Sequence, residues 1–241
     1  DPTFGTGGIV ITDVTGDDSN EEPAAVAIDS FDRIIVTGEC YPDDEYDFCT
    51  VRYTTDGELD LTFGTGGIVI TDVSGDDSYE EPVAVAIDSF DRIIVTGECN
   101  PDGDDDFCTV RYTTDGELDP TFGTGGIVIT DVTGDENYDY VDSVLIDSSD
   151  RIVVTGECDP DGTNDAVCLV RYTTDGVLDP SYGDGGTVAQ SAVEDDGYWN
   201  HIHDGIGAID SSDRITIVSE CDNDDEHVLC AFRFLASLMQ L

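Results

Sequence analysis

One eight-residue segment recurs along this chain and limits the folds that the chain can adopt. Arg33–Cys40 reads Arg-Ile-Ile-Val-Thr-Gly-Glu-Cys; it returns unchanged at 92–99, with one Ile-to-Val change at 151–158, and in a more divergent form at 214–221. Self-similarity at a nearly constant spacing is the signature of repeat architectures. The 241 residues are therefore predicted to form a single domain of four units. The units comprise residues 1–60, 61–119, 120–179 and 180–241.

Each unit contains four runs of strand length. In the first unit, β-branched or apolar residues dominate Ile9–Val14, Ala24–Ile28, Arg33–Cys40 and Phe48–Tyr53. Turn residues separate the runs, and no run has the periodicity of an amphipathic helix. Four short strands per repeat, joined by tight turns, are typical of a β-propeller blade. The sequence thus predicts an all-β fold, a four-bladed β-propeller built from four-stranded repeats of about 60 residues.

Composition predicts the order of the strands within a blade. Ala24–Ile28 is apolar throughout and mostly small, so we expect it at the crowded centre. Outwards from it we expect Arg33–Cys40, Phe48–Tyr53 and Ile68–Val73. By this order Ile9–Val14 is an outer strand without a blade of its own, and the fourth unit lacks an outer strand. We expect this N-terminal strand to complete the last blade, either within one chain or between chains of a head-to-tail polymer, because pairing removes both exposed edges.

The cysteines follow the repeat. Each unit carries two, separated by 9 or 10 residues: Cys40 and Cys49, Cys99 and Cys108, Cys158 and Cys168, Cys221 and Cys230. An even count at a repeating separation predicts one disulfide per unit and an oxidising compartment. With no signal peptide or membrane-length apolar run in the sequence, we interpret the chain as a processed secreted protein, located outside the cell or on its surface.

A disulfide within each unit also predicts a strand register. If Cys40 lies directly opposite Cys49 in an antiparallel hairpin, Val36 lies opposite Tyr53 and Arg33 opposite Asp56. Both cysteines then share one face of the blade, and the arginines share the other. The same register predicts three structural ion pairs, Arg33 with Asp56, Arg92 with Asp115 and Arg151 with Asp175.

Charge excludes several classes of partner. The chain has 56 acidic residues against 8 basic ones, all of them arginine, and a formal net charge of −48. Nucleic acids and anionic lipid surfaces attract clustered Lys and Arg, so neither nucleic-acid binding nor membrane insertion is expected. Crowded carboxylates repel one another by about 1 kcal/mol per close pair even in water. Bound divalent cations should therefore stabilise the fold.

The acidic loop between the two cysteines of a unit is the first candidate metal site. Oxygen-bearing side chains stand at alternate positions around a glycine in two of these loops, as calcium coordination requires, although the twelve-residue EF-hand pattern is absent. The alternative is a solvated turn in which Pro-Asp-Gly reverses the chain. A second candidate is the loop Gly16–Glu22 and its copies. The predicted calcium ligands are Asp43, Asp44, Asp47, Asn100, Asp102, Asp104, Asp106, Asp159, Asp161, Asn164 and Asp165.

Catalytic motifs are missing from the sequence. It contains no nucleophile elbow, no phosphate-binding loop and no HExxH segment, so no catalytic residue is proposed and an enzyme is not expected. His201 and His203 would share a face of a strand, and a zinc site there would need a third ligand in place. The segment that holds them is otherwise interpreted as a divergent loop.

One further pattern resembles a known family. Gly57-x-Leu59-Asp60 leads into Phe-Gly-x-Gly-Gly, and the Asp-x-Arg-Ile-Ile-Val-x-Gly and Val-Arg-Tyr-x-x-Asp-Gly strands follow. The combination resembles the delta-60 repeats of bacterial secreted β-propeller proteins over residues 1–180. The resemblance implies a propeller in an extracellular or cell-surface protein and no shared catalytic residues. The cysteine pairs and the extreme acidity depart from the usual pattern of that family.

These observations favour a structural role. The chain ends on an apolar tail where earlier units have a polar turn, and the predicted assembly residues are Phe234, Leu235, Leu238, Met239 and Leu241. We expect a non-enzymatic extracellular subunit that assembles with copies of itself into a fibre or surface coat, stabilised by disulfides and divalent cations. The alternative is a monomeric secreted propeller that binds a carbohydrate or another ligand with the loops of the fourth unit.

Overall fold

The computed structural model shows an all-β chain. It describes residues 1–16, 20–42, 45–75, 79–101, 103–134, 139–160, 165–191, 193–194, 197–198, 201–222 and 227–236. Every regular element in these ranges is a β-strand, and each multi-stranded sheet is antiparallel with its strands in chain order. The predicted fold class is confirmed to that extent.

Three blades have four strands each. Blade 1 consists of β1 (Glu21–Ile28), β2 (Ile34–Cys40), β3 (Asp47–Tyr53) and β4 (Ile68–Thr71). Blade 2 consists of β5 (Glu80–Ile87), β6 (Ile93–Cys99), β7 (Asp106–Tyr112) and β8 (Ile127–Thr130). Blade 3 consists of β9 (Tyr140–Ile146), β10 (Ile152–Cys158), β11 (Ala166–Tyr172) and β12 (Thr187–Ser191). The predicted order of strands within a blade is confirmed in all three.

Blade 4 has three strands within the described residues. A short ribbon, β13 (Val193–Glu194) and β14 (Gly197–Tyr198), precedes it. Blade 4 itself consists of β15 (His201–Ile209), β16 (Ile215–Asp222) and β17 (His227–Phe234). Contacts run from β1 to β5, from β5 to β9 and from β9 to β15, so the first strands of the blades form the inner layer of the stack.

Each blade has two different faces. We define the front face as the one that carries the two cysteines, and the back face as the one that carries Ile35 and Phe48 in blade 1 and their counterparts in the others. Between blades 1 and 2, the back-face residues Ile35 and Phe48 pack against the front-face residues Ile93, Val95 and Tyr112. The same back-to-front packing joins blade 2 to blade 3 and blade 3 to blade 4. The core is therefore divided into three clusters, one for each junction between consecutive blades.

A polar contact repeats at the same junctions. The backbone N–H of Ser30 donates to Oδ1 of Asp91 at 2.9 Å, and the Ser30 hydroxyl donates to Oδ2 at 2.7 Å. Ser89 makes the same two bonds to Asp150, and Ser148 makes them to Asp213. Each of these aspartates has a left-handed backbone, with φ of 57° or 58°. Aspartate tolerates this conformation in a turn, so the turn can present its carboxylate to the preceding blade.

The glycine of the recurring segment meets a steric requirement. The first strand of each of blades 1 to 3 is bulged, between Pro82 and Ala84 in blade 2. The bulge brings the carbonyl oxygen of Glu81 so close that a Cβ on Gly97 would lie 2.0 Å from it. Only glycine fits at this distance from the bulge of blade 2.

The predicted register of the central hairpin was wrong by two residues. Gly38 lies opposite Cys49, and Cys40 lies opposite Asp47. Because a disulfide tolerates Cα separations up to about 6.8 Å, diagonal cysteines can bond as well as directly opposed ones. The Cys40–Cys49 Cα separation is 5.8 Å. A shift of two residues leaves every side chain on its predicted face, so the four disulfides within the blades are as predicted.

The predicted ion pairs were wrong as a consequence. Arg33 pairs with Asp29 at 2.6 Å and with Asp60 at 3.5 Å, and not with Asp56. Asp56 lies in the tight turn closed by the bond from Gly57 N to Thr54 O, beyond the end of the ladder. The other two predicted pairs fail in the same way. Arg92 pairs with Asp88 and Asp119 instead of Asp115, and Arg151 pairs with Asp147 and Asp179 instead of Asp175.

A second set of arginines is buried and links neighbouring blades. Nε of Arg111 donates to Oδ2 of Asp119 at 2.9 Å, and Nη2 donates to the Thr121 hydroxyl at 3.1 Å. Its Nη1 donates to the carbonyl oxygen of Thr174 in blade 3, and the guanidinium lies 4.6 Å from the centre of the Phe122 ring. We call this arrangement the arginine latch. Arg52 and Arg171 form it at the other two junctions.

Residues 9–14 do not form the predicted strand. Their counterparts in later units are β4, β8 and β12, each paired with the blade that precedes it. The Tyr53 hydroxyl donates to Oγ1 of Thr12 at 2.7 Å, but Ile9 and Ile11 are exposed. The outer edge of β17 has no neighbour among the described residues.

Candidate metal centres and assembly faces

Three carboxylates meet where blade 2 joins blade 3. Asp106 begins β7, Asp131 follows β8, and Asp139 precedes β9. One oxygen from each lies within 4.8 Å of an oxygen of the other two. Asp131, at the end of the outer strand β8, lies beside Asp106 of the same blade. Asp139, at the start of blade 3, lies beside both. The cluster therefore joins two blades, and we call it the junction triad.

Asp139 is the buried member of the junction triad. Its side chain is fully buried, with 0% of the residue exposed. Oδ2 accepts a hydrogen bond from Val132 N at 2.7 Å, whereas Oδ1 has no hydrogen-bond partner. Burial raises the pKa of Asp139 to about 6, and the Asp131 carboxylate adds to the rise. A buried oxygen without a hydrogen-bond partner lowers the stability of the fold by about 1–3 kcal/mol, and by more if it is charged. A ligand bound to this atom would remove that cost.

A related triad lies where blade 1 joins blade 2. It comprises Asp47, Asp72 and Glu80, again with one oxygen of each within 4.8 Å of the others. Glu80 is buried, and its Oε1 accepts hydrogen bonds from Val73 N, Ser74 N and the Ser74 hydroxyl at 2.7–2.9 Å. Its Oε2 accepts a further bond from Val73 N. Burial raises the pKa of Glu80, but its oxygens already have partners. This triad has less need of a ligand than the junction triad.

The third junction has no carboxylate at the corresponding positions. The strand registers of blades 3 and 4 place Ala166, Ser191 and Ile202 where Asp106, Asp131 and Asp139 stand. Ile202 is buried. All three acidic residues are therefore replaced together by uncharged ones.

The predicted calcium ligands are only partly brought together. Asp47 and Asp106 belong to the two triads. Nδ2 of Asn100 donates to Oδ1 of Asp105 at 3.3 Å. Asp104, Asp159 and Asp165 join no three-carboxylate cluster within the described ranges. The remaining predicted ligands, Asp43, Asp44, Asp102, Asp161 and Asn164, lie outside the described residues.

Sequence reasoning missed Asp72 and Asp131, whereas Glu80 and Asp139 lie in copies of the second candidate loop, for which no individual ligand was predicted. Asp72 and Asp131 each follow an outer strand, and the predicted strand Ile68–Val73 included Asp72. A signal was present, because Asp72 and Asp131 stand 59 residues apart at the same place in the repeat. Their partners, however, come from different blades, and no local spacing shows that contact.

Among the described residues, two apolar faces at the ends of the stack have no blade packed against them. On the front face of blade 1, Val26 is 65% exposed, whereas its counterpart Val85 is half-buried in the blade 1–2 junction. On the back face of blade 4, Leu229 is 76% exposed, whereas its counterparts Phe48 and Phe107 are fully buried. The front and back faces that pack together inside the stack are thus both uncovered at its ends. These two surfaces are the candidate assembly faces.

The same ends carry the unmatched halves of an arginine latch. Arg233 occupies the latch position of blade 4, but its side chain is 58% exposed, and its Nη2 lies 3.9 Å from Oδ2 of Asp210. At the other end, the Thr3 hydroxyl donates to Oδ1 of Asp1 at 2.7 Å, which repeats the bond from Thr62 to Asp60 at 2.6 Å. Residues 1–4 therefore repeat the form of the latch partner, and Arg233 has no such partner among the described residues.

The remaining sequence candidates are placed as follows. Phe234 is buried in the cluster between blades 3 and 4, and Leu235 is exposed. Leu238, Met239 and Leu241 lie outside the described residues. His201 and His203 lie in β15, and His227 lies in β17. In the described part of the chain, no helix has the length and apolarity to span a membrane.

Glu98 gives a pH-dependent prediction at the junction of blades 2 and 3. Burial raises its pKa to about 8, although a hydrogen bond from Val141 N at 3.0 Å opposes the rise. Folded Glu98 keeps its proton to about pH 8, whereas the unfolded chain releases it near the ordinary value of 4.5, so this group lowers stability as pH rises between those values. Glu98→Gln should raise the melting temperature by several degrees at pH 8, and the gain should vanish near pH 4.5. Scanning calorimetry at both pH values measures this.

The matched control for Glu98 is its exposed counterpart in blade 4. Glu220→Gln should leave the melting temperature nearly unchanged at both pH values, because Glu220 is exposed to solvent. Equal gains for the two variants would show that the effect comes from lowering the overall negative charge and not from the burial of Glu98.

Among solved structures, the chain resembles a polysaccharide lyase of family PL25, an ulvan lyase bound to -[GlcA(1-4)Rha3S]-. The TM-score is 0.53 at 13% identity, and the match covers 87% of this chain and 51% of the lyase, so the chain spans about half of its length. The catalytic domain of a GH62 α-L-arabinofuranosidase from Coprinopsis cinerea aligns with a TM-score of 0.31 at 11% identity, over 85% of this chain and 84% of that one. The first similarity shows the fold alone, and the second carries no argument.

The repeat itself matches a described family. Three segments match the family model "Domain of unknown function (DUF5122) beta-propeller", and no curated protein matches the chain. Each segment runs from the turn before the second strand of a blade, through the third strand, to the Phe or Tyr that follows it. The chain is therefore similar to the DUF5122 β-propeller family over residues 32–63, 91–122 and 148–182.

Proposed function

We propose that this protein is a non-enzymatic extracellular structural subunit that assembles head to tail with copies of itself. One observation carries the proposal: the back and front faces that pack at the three internal junctions are both uncovered at the ends. The back face of blade 4 in one copy would receive the front face of blade 1 in the next. Heterologous contacts of this kind build open filaments when the rotation between copies does not close.

The internal junctions supply a template for the contacts between copies. Arg233 of one copy would stack on Phe4 of the next and pair with its Asp1, as Arg52 stacks on Phe63 and pairs with Asp60. Residues 9–12 of the second copy would add to the free edge of β17, as β4 adds to β3. This strand addition supplies main-chain hydrogen bonds, which is a common mode of subunit linkage.

One more polar contact can be transferred from the template. Ser211 of blade 4 corresponds to Ser30, Ser89 and Ser148, each of which donates two hydrogen bonds to the turn aspartate of the following blade. In the head-to-tail contact its acceptor would be Asp32 of the next copy. Ser211 and Asp32 are both exposed at the two ends of the stack.

Location and cations complete the proposal. Four disulfides indicate an oxidising environment, and the resemblance to delta-60 repeats of bacterial secreted proteins supports a place outside the cell or on its surface. Two copies with a formal charge of −48 each repel one another, so association needs neutralising cations. Calcium is the divalent cation that suits carboxylate ligands, and we propose it as the stabilising ion.

Size measurement tests the assembly. Sedimentation velocity over a range of protein concentrations, with calcium and with chelator, should show species that grow with concentration in calcium. Leu229→Asn should abolish this growth, because Leu229 is an exposed apolar side chain on the uncovered back face. The matched control is Val177→Asn, an exposed apolar residue in a turn of blade 3, which should assemble normally.

Two results would overturn the head-to-tail proposal. A strict monomer at every concentration, with Leu229 protected from solvent, would mean that residues 9–14 complete blade 4 within the same chain. A strict monomer that binds saccharides would favour the carbohydrate-binding alternative. The similarity to an ulvan lyase makes sulfated saccharides the natural first ligands to assay, although that similarity extends only to the fold.

A further inference from the structure

We propose that the junction triad, Asp106, Asp131 and Asp139, binds one Ca²⁺ ion that clamps blade 2 to blade 3. This inference gives a site to the cation part of the proposed function, and it holds whether or not the copies assemble. It moves the metal from the loops between the cysteines to the junction between blades. Four observations support it.

The first observation is distance. Ca²⁺ binds oxygen at about 2.3–2.6 Å, so oxygens on one ion are at most about 5 Å apart. One oxygen of each triad residue lies within 4.8 Å of the other two. A single ion can therefore contact all three carboxylates without a movement of the backbone.

The second observation is the unpartnered oxygen. Asp139 is fully buried, and its Oδ1 accepts no hydrogen bond while Oδ2 accepts one from Val132 N. The backbone N–H of Asp139 donates to the carbonyl oxygen of Asp105 at 2.8 Å, which fixes the residue against the loop that precedes β7. A buried carboxylate held in place with one free oxygen needs either a proton or a cation. The two neighbouring carboxylates favour the cation.

The third observation is the comparison with the blade 3–4 junction. The corresponding positions there hold Ala166, Ser191 and Ile202, so all three carboxylates are absent together. Surface acidity alone gives no reason for this, because the chain carries 56 acidic residues and its carboxylates are otherwise abundant. If three carboxylates bind the same ion, none of them is needed at a junction where that ion does not bind. A buried isoleucine then replaces the ion as the contact between the blades.

The fourth observation is the chemistry of the donors. The triad consists of carboxylates alone, and the nearby cysteines, Cys99 and Cys108, are joined in a disulfide. Oxygen-only sites select Ca²⁺, Mg²⁺ or Mn²⁺ over zinc. Ca²⁺ accepts irregular geometry, whereas Mg²⁺ requires a near-ideal octahedron and retains its waters. Asp131 is exposed, so water can complete the coordination shell from that side. An affinity of about 10⁻⁴–10⁻³ M, typical of extracellular modules, is expected.

Calcium titration of the disulfide-intact full chain tests the site. Isothermal titration calorimetry with CaCl₂ at physiological salt should show a saturable site in the wild type, and Asp139→Asn should weaken it at least tenfold. Calcium should raise the melting temperature of the wild type and leave that of Asp139→Asn almost unchanged. Asp115→Asn, which removes one exposed carboxylate from a turn of blade 2, is the matched control and should behave as the wild type does.

A melting curve in chelator shows that the variant folds. Without calcium, Asp139→Asn should melt at or above the wild-type temperature, because the amide removes a buried charge that lacks a partner. If Asp139→Asn keeps the wild-type calcium affinity and the calcium-dependent rise in melting temperature, the bound calcium is spread over the acidic surface and the proposal is overturned. Assembly is read separately by sedimentation. If calcium binds at the triad and the protein stays monomeric, the head-to-tail proposal is contradicted, whereas the proposed calcium site is supported.

Discussion

Arg111→Ala is expected to lower the free energy of unfolding by about 3–5 kcal/mol, the usual cost of removing one partner of a buried ion pair. The guanidinium of Arg111 is fully buried, where it pairs with Asp119, donates to the carbonyl oxygen of Thr174 and stacks on Phe122. Alanine would leave a buried carboxylate and a carbonyl oxygen without their donors, and it would open a cavity against the ring. Urea unfolding, followed by circular dichroism, measures the loss.

Arg233→Ala is the matched control, because it removes the same residue type from the same position of blade 4. Its side chain is 58% exposed and lies 3.9 Å from Asp210, so the expected loss is about 0–1 kcal/mol in the monomer. Losses of equal size for the two variants would contradict the latch as the cause. In the head-to-tail assembly proposed above, the Arg233 loss should grow, because the contact between copies would bury that side chain.

Acid should reduce the effect of the Arg111 substitution. Burial raises the pKa of Asp119, but hydrogen bonds from Thr121 and the guanidinium of Arg111 lower it more. The pKa of Asp119 therefore lies below its ordinary value of 3.8. A carboxyl with a lowered folded-state pKa contributes stability above its unfolded pKa and loses it as pH falls through the folded one. The stability advantage of the wild type over Arg111→Ala should therefore shrink below about pH 4.

Reduction of the disulfides should have the largest effect of all. Each bond closes a loop with a sequence separation of 9 or 10 residues, which stabilises a fold by about 2–3 kcal/mol in the chain-entropy account. Loss of all four would remove roughly 10 kcal/mol if the effects add, which is comparable to the whole stability of an ordinary domain, about 5–15 kcal/mol. The reduced protein should be largely unfolded at 37 °C. Unfolding curves with and without a phosphine reductant test this.

A single bond gives the sharper measurement. The double variant Cys99→Ala and Cys108→Ala should lose about 2–3 kcal/mol and keep its fold, because the other blades retain their bonds. Peptide mapping of the oxidised wild type should recover only pairs from within one blade. Bridges that link different blades would contradict both the pairing and the assignment of blades to repeats.

The architecture of a blade was readable from sequence, because it depends on local patterns. Ala84–Ile87, Ile93–Cys99 and Phe107–Tyr112 are rich in apolar and β-branched residues, have strand length and are separated by turn residues. The order of the strands therefore followed from size and composition. The register was not readable, because a disulfide fits both a directly opposed and a diagonal pair of cysteines. The assumption of direct opposition displaced the ladder by two residues and led to the wrong partner for Arg33.

The candidate metal site was readable only in part. Asp47 and Asp106 drew notice because they lie near other acidic residues in the sequence. Asp139 lies in a copy of the second candidate loop but was not singled out, since its importance comes from burial and from an oxygen without a hydrogen bond, and neither property can be read from the sequence. In a chain with 56 acidic residues, composition cannot separate a ligand from a solvated side chain. Only the contact between two blades shows which carboxylates lie close enough together to bind one ion.

The repeated contacts between consecutive blades have a consequence for descent. The serine, the turn aspartate and the buried arginine occupy the same positions at each internal junction. The contacts between two consecutive blades therefore do not depend on where the pair stands in the series. Duplication or deletion of one coding segment would yield a longer or shorter protein in which every surface still finds its counterpart. A single recombination event could therefore change the length of this protein without any new interface having to evolve.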